Sequence, residues 1–165
     1  MTPAITARDI AFVLRCSAAA TIGYALASSC GLLHPVWASI SGIIVSQDKL
    51  NQTESAVVWN FAGTLVGIVV AVATGSLIAL TEAGIAVQTG VSVAICSGLV
   101  RRWPDLKVAM WTAPIIFFGH DPAQSLLAAG YWRGCEVLLG GLVGAALHRV
   151  AEWIIVFIER NRTTL

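Results

Sequence analysis

An all-α integral membrane protein, with six transmembrane helices as two inverted three-helix repeats and short second and fifth spans, is the fold this sequence predicts. Three observations predict it: an apolar composition, an internal repeat, and a one-sided distribution of Lys and Arg. The chain is 57% hydrophobic and only 12% charged, with a mean hydropathy of +0.80, well outside the range of soluble domains. Too little polar surface is present to cover a water-facing domain. Residues 1–165 therefore read as a single transmembrane domain in the lipid bilayer, with no soluble domain. The net charge of +1 says nothing about partners, and no basic patch interleaved with aromatics points to nucleic acid.

The repeat is carried by particular residues. Trp37-Ala38-Ser39-Ile40 opens a short apolar run ending at Gln47-Asp48, and a polar connector leads to Trp59-Asn60 and the small residues Gly63, Gly67 and Ala71. Trp111-Thr112-Ala113-Pro114 opens a second such run ending at His120-Asp121, followed by Trp132-Arg133, Glu136, Gly140 and Gly144. A shift of 73 carries Asp48 onto Asp121, Trp59 onto Trp132, Asn60 onto Arg133, Gly67 onto Gly140 and Ala71 onto Gly144. The two opening tryptophans are 74 apart, so one residue separates the copies inside the short run. Internal duplication of a membrane unit is a feature of transporters and channels.

Taken in order, the apolar spans cover residues 12–33, 36–46, 56–80, 83–100, 108–119 and 134–158. Repeat 1 then occupies about 8–80 and repeat 2 about 83–158. The first, third, fourth and sixth spans reach or approach the roughly 20 residues that cross a bilayer. The second and fifth cover only about 17 Å of a core about 30 Å thick, so they either cross a thinned region or turn back. Charge placement decides between these. With six crossings and a cytoplasmic N-terminus, nine of the ten Lys and Arg lie inside and only Arg133 lies outside. With two re-entrant segments the split is five to five, and the positive-inside rule prefers the first arrangement. Both termini are then cytoplasmic. Trp37 and Trp132 fall at outer ends and Trp59, Trp103, Trp111 and Trp153 at inner ends, as interfacial belts require. Three crossings per copy is an odd number, so the second copy enters the membrane upside down, and the paired short segments mark the expected pathway.

The N-terminal segment has the charge and apolar run of a signal peptide, but the repeat needs it as its first helix, so it reads as uncleaved. Cys16, Cys30, Cys96 and Cys135 lie within apolar spans without a Cys-x-x-Cys pair and read as small packing residues. No metal-ligand spacing, nucleophile–base order or phosphate-binding glycine loop is present. The sequence therefore predicts no enzyme, no catalytic residue, no metal and no cofactor. Glycines four apart do structural work: Gly63 and Gly67 on the third span, Gly90 and Gly98 with Ala94 on the fourth, and Gly140 and Gly144 on the sixth. In lipid such ridges let helix backbones approach closely.

Polar groups within or beside the spans are the candidates for a substrate or ion pathway, because intramembrane charge is costly and kept for function. Arg133 and Glu136 share a helix face: they read either as an ion pair locking the outer end of the sixth helix, or as an anion contact tuned by the carboxylate. His120 and Asp121 border the fifth span, and Gln47 and Asp48 occupy the matching place in the first repeat. Either aspartate equally suits a turn. Asn60 and Gln88 are candidates for interhelical hydrogen bonds.

The run Trp37–Gln47, its connector and Asn60-Phe61-Ala62-Gly63-Thr64-Leu65-Val66-Gly67 resemble the membrane half of fusaric acid resistance proteins and aromatic acid exporters. That family follows a short aromatic-led helix with Arg-x-x-Gly-Thr-x-x-Gly. Arg133-Gly134-Cys135-Glu136-Val137-Leu138-Leu139-Gly140 resembles its partner pattern Arg-x-x-Glu-x-x-x-Gly. The likeness spans most of residues 5–150. Asn60 departs from it, standing where the family usually has Arg. The resemblance implies export of small organic anions, aromatic carboxylic acids in particular, across the inner (plasma) membrane, with the proton gradient as driving force. It leaves two alternatives: a passive organic-anion channel, as in the distantly similar plant malate channels, or a non-transporting membrane subunit or scaffold with a separate soluble subunit. Family members usually continue into a cytoplasmic domain and often a second membrane half, so two copies of this chain, a homodimer, are expected to restore both halves.

Overall fold

The computed structural model describes residues 6–46, 50–78, 83–119, 121 and 123–162. Among these, all regular structure is helical: α1 (Ala7–Ser29), α2 (Val36–Val45), α3 (Leu50–Ile78), α4 (Ile85–Arg102), a 3-10 helix (Pro104–Val108), α5 (Ala109–Gly119) and α6 (Leu126–Arg162). Three helices are long and apolar enough to cross a membrane, over Arg8–Ser29, Gln52–Ile78 and Leu126–Phe157. The second and fifth spans are short, as expected, with 10 and 11 residues. α4 has 18 residues and ends in Arg101 and Arg102, cations that suit the negative end of its dipole.

Local chemistry sets several boundaries. Thr6 and Asp9 form a reciprocal capping box at the start of α1, which satisfies two otherwise orphaned amides. The same helix ends at Gly31, whose φ of +71° lets Leu32 N–H donate to Ala27 O at 3.0 Å in a Schellman-type stop. Two starts differ from the sequence reading. α3 begins at Leu50, ahead of residue 56, and α6 at Leu126, ahead of residue 134. In α6 the Ser125 hydroxyl accepts from Ala128 N–H at 3.2 Å, and Leu-Leu-Ala-Ala then supplies strong helix formers. The polar Trp132-Arg133 pair resembled an interfacial end but lies about two turns inside the helix. The 3-10 turn before α5 was not anticipated.

The described residues fall into two compact units. The first comprises those of 1–57 and 138–165, hence α1, α2, the opening of α3 and most of α6. Here α2 is held through small residues on both neighbours. A Cβ added to Gly23 of α1 would lie 3.1 Å from Ala38 O, and one on Gly42 would lie 3.2 Å from Ala19 O and 3.3 Å from Gly140 O. On the α6 side, a Cβ at Gly144 would meet Gly42 O at 2.8 Å, and one at Gly140 would collide with the backbone of Ala38. No side chain fits at Gly140.

The second unit comprises residues 58–137: the rest of α3, α4, the 3-10 helix, α5 and the opening of α6. A Cβ at Gly67 would lie 2.6 Å from Thr112 Cβ and 3.0 Å from Ala109 O, and one at Gly63 would lie 3.3 Å from Leu106 O. Ala71, Ala113, Ile116 and Phe117 form the buried core, with Ile68, Leu126 and Ala129 packed against it. Thr74 and Ser92 join α3 to α4 through hydroxyls 2.5 Å apart.

The same seam thus occurs once in each unit. Gly67 and Gly140 correspond by the shift of 73, and their contacts, Thr112 and Ala38, by the offset of 74 found within the short run. Each short helix receives the glycine face of the long third helix from the other repeat. The ridge expected on the fourth span behaves differently: a Cβ at Gly90 or Gly98 would meet nothing within 4 Å, so these two glycines make no close approach to another helix among the described residues. Large apolar side chains such as Val69, Leu77, Phe118, Leu127 and Trp153 are exposed, which water would penalise and lipid does not.

Candidate functional site

Arg133 and Glu136 lie on the buried face of α6, 6% and 1% exposed respectively. The carboxylate is close enough for its charge to act on the guanidinium. The sequence placed this pair at the helix end, and its burial changes the energetics. An exposed i, i+3 pair contributes about 0.2–0.5 kcal/mol, whereas removing one member of a buried pair costs about 3–5 kcal/mol.

Asn60 is buried as well, on α3, and its main-chain carbonyl accepts from the Thr64 hydroxyl at 2.8 Å. It falls in the same unit as Arg133 and Glu136. Gln88 donates to Ala83 O, 3.2 Å away at the start of its own helix. The interhelical hydrogen bond on this helix is made instead by Ser92, one turn further on, with Thr74 of α3. Asp121 is exposed and builds the turn before α6: its Oδ1 accepts from Ala123 N–H at 2.9 Å and its carbonyl from Gln124 N–H at 2.8 Å. His120, Gln47 and Asp48 lie outside the described residues. Gly63, Gly67, Gly140 and Gly144 hold the packing positions given above.

A second polar cluster went unnoticed in the sequence. His148 is fully buried on α6, with Nδ1 2.5 Å from Thr53 Oγ1 of α3 and Nε2 3.7 Å from Glu152 Oε1. Arg15, 7% exposed on α1, is near enough for its charge to reach the imidazole. Next to this cluster, Arg149 donates to Glu54 Oε1 at 2.6 Å on the exposed side, beside an open groove of about 400 Å³ lined by Val57, Leu142, Ala145 and Ala146. The 95-residue separation recurs in Thr53–His148 and Glu54–Arg149. The signal available in the sequence was His148 and Glu152 one turn apart within an apolar span. It reads as a helix end unless the partner on α3 is known.

Among the described residues, no group of three His, Cys, Asp or Glu is placed to hold a metal ion, and the four cysteines are free thiols. What both units offer is buried charge on apolar helices. Buried charge on long apolar helices is the character of a membrane protein with a polar interior. Residues 18–147 match the fusaric acid resistance protein-like family, and the chain belongs to that family. Membership points to membrane transport, efflux in particular, as its field of activity. No curated protein and no solved structure matches the chain.

Proposed function

We propose that the chain is an inner-membrane exporter of organic acids, aromatic carboxylates above all, with six crossings in two inverted repeats, cytoplasmic termini and the proton gradient as driving force. The observation that carries this reading is the buried Arg133–Glu136 pair on a 37-residue apolar helix of a fusaric acid resistance protein-like chain. Charge held inside a membrane domain is expensive and belongs, as a rule, to a pathway. A guanidinium presents a planar fork that matches a carboxylate, and Glu136 tunes it or takes its charge when no anion is bound. The inverted repeat is supported by the glycine seam that recurs in both units. A homodimer supplies the two membrane halves that longer relatives of this type carry in one chain.

The test is flux in liposomes holding the purified protein, across a panel of aromatic and aliphatic carboxylates, with and without a pH gradient. Uphill accumulation driven by the gradient is the expected result. Conductive flux indifferent to the gradient replaces the exporter with a passive organic-anion channel. No flux of any carboxylate overturns both and leaves a membrane subunit or scaffold.

A further inference from the structure

We propose that His148, between Thr53 and Glu152, is the proton-binding site of the transport cycle. The inference rests on the exporter reading above and names the group through which a proton gradient would act. His148 follows Gly140 and Gly144 at four-residue steps on α6, so it continues the face that packs against α2, and it is fully buried there.

The geometry around the ring suits two protonation states. The Thr53 hydroxyl, 2.5 Å from Nδ1, donates to a bare ring nitrogen or accepts from an N–H, so it serves either state. Nε2 is different. Its nearest anion, Glu152 Oε1, stands at 3.7 Å, beyond hydrogen-bond reach but inside ion-pair reach. The Glu152 side chain is 32% exposed and has room to move. A proton on the ring gives Nε2 an N⁺–H that draws this carboxylate in toward about 2.8 Å. Loss of the proton releases it.

The surrounding charges are few. The charged groups that reach the ring are Arg15 of α1 and Glu152 of α6. Glu54 of α3 is engaged by Arg149 on the exposed side. α2, over Val36–Val45, contributes no titratable side chain. The step balances as a bare proton transfer: the proton enters at Nε2 from water on one side and returns to water on the other. Glu152 changes position and not its own protonation. A purely structural role for the cluster, a hydrogen bond joining α3 to α6, needs only Thr53 and a neutral ring.

Two readouts on the full-length protein separate these roles. In detergent micelles, ¹³C-histidine-labelled protein gives an imidazole resonance assigned to His148 by its loss in His148→Gln. This resonance is expected to titrate reversibly within about pH 5 to 8, and a His148 signal that stays fixed across that range overturns the proposal. In liposomes, with benzoate as probe, His148→Gln is expected to lose gradient-driven accumulation while keeping benzoate counterflow without a gradient. Retained counterflow shows that the variant is folded. If His148→Gln fails to fold, Glu152→Gln carries the test, because it removes the mobile anion and leaves the buried ring in place; its gradient-driven flux is expected to peak at lower pH than wild type. An unchanged pH profile, or full gradient-driven uptake in His148→Gln, overturns the proposal. A wild type that moves neither benzoate nor any other carboxylate of the panel, under any gradient, overturns the exporter reading, and the coupling role with it, whatever the resonance does.

Discussion

At the level of single residues, the glycines divide by what a methyl group would meet. Gly140 faces the backbone of Ala38, and Gly144 faces Gly42 O; a main-chain carbonyl in a packed helix has nowhere to retreat. Gly140→Ala is expected to lower stability by about 1–3 kcal/mol, as overpacking does, and Gly140→Leu to prevent folding. Gly98→Ala meets open space and is expected to be neutral or slightly stabilising, since Ala is about 1 kcal/mol better than Gly in a helix. Thermal melting in detergent compares them, and equal melting temperatures for the two Ala variants would remove the seam assigned to Gly140. The buried pair follows the same logic. Glu136→Ala leaves a guanidinium buried without its carboxylate and is expected to destabilise by about 3–5 kcal/mol. The exchange Arg133→Glu with Glu136→Arg keeps a pair while moving the positive charge about 4.5 Å along α6. It is expected to fold better than Glu136→Ala and still lose carboxylate flux; undiminished flux would leave Arg133 a structural residue.

Among elements, α3 and α4 share the Thr74–Ser92 hydroxyl pair, and its arrangement explains why polar residues are tolerated there. Gln88 O lies 2.8 Å from the Ser92 hydroxyl and Val70 O 2.7 Å from the Thr74 hydroxyl. With one hydrogen each, one hydroxyl donates across to the other, which donates within its own helix, and either can turn back to its own helix when its partner is removed. Losing the interhelical bond is correspondingly mild. Thr74→Val is expected to destabilise by about 0.6 kcal/mol, near the average for such bonds in a membrane protein, and Ser92→Ala by a similar amount. Chemical unfolding in mixed micelles measures both. A double variant whose loss equals the sum of the singles would show that the two hydroxyls do not act together. α5 shows the same tolerance at larger scale: Pro114 sits inside it and leaves the carbonyl one turn earlier without its usual donor.

For the whole molecule, the testable statement is orientation. Nine of ten Lys and Arg lie on one side if six segments cross with the N-terminus inside. A single cysteine at Lys107 is then expected to react with an impermeant maleimide only from the cytoplasm, and one at Asp121 only from outside, in a background without native cysteines. Labelling of Asp121→Cys from the cytoplasm alone would overturn the six-crossing topology. Native mass measurement in nanodiscs tests the homodimer, for which a single-chain mass at all protein concentrations is the contrary result.

Periodicity, composition and the repeat already contain the helices, their apolar character, the short second and fifth spans and the glycine steps, because each is a property of neighbouring residues on one helix. The family was legible for the same reason, through motifs contiguous in the chain. The ends of α3 and α6 were not. A polar residue marks either a helix end at the lipid surface or a buried position against another helix, and only the partner distinguishes them: Arg133 looked interfacial and is buried. Likewise nothing near His148 in the chain marks it out; its partner at the ring nitrogen is Thr53, 95 residues away. Gly98 and Gly140 are equivalent as letters in a ladder, yet one borders open space and the other a carbonyl. Contacts between distant segments carry no local signature, because close packing depends on what arrives from elsewhere in the chain.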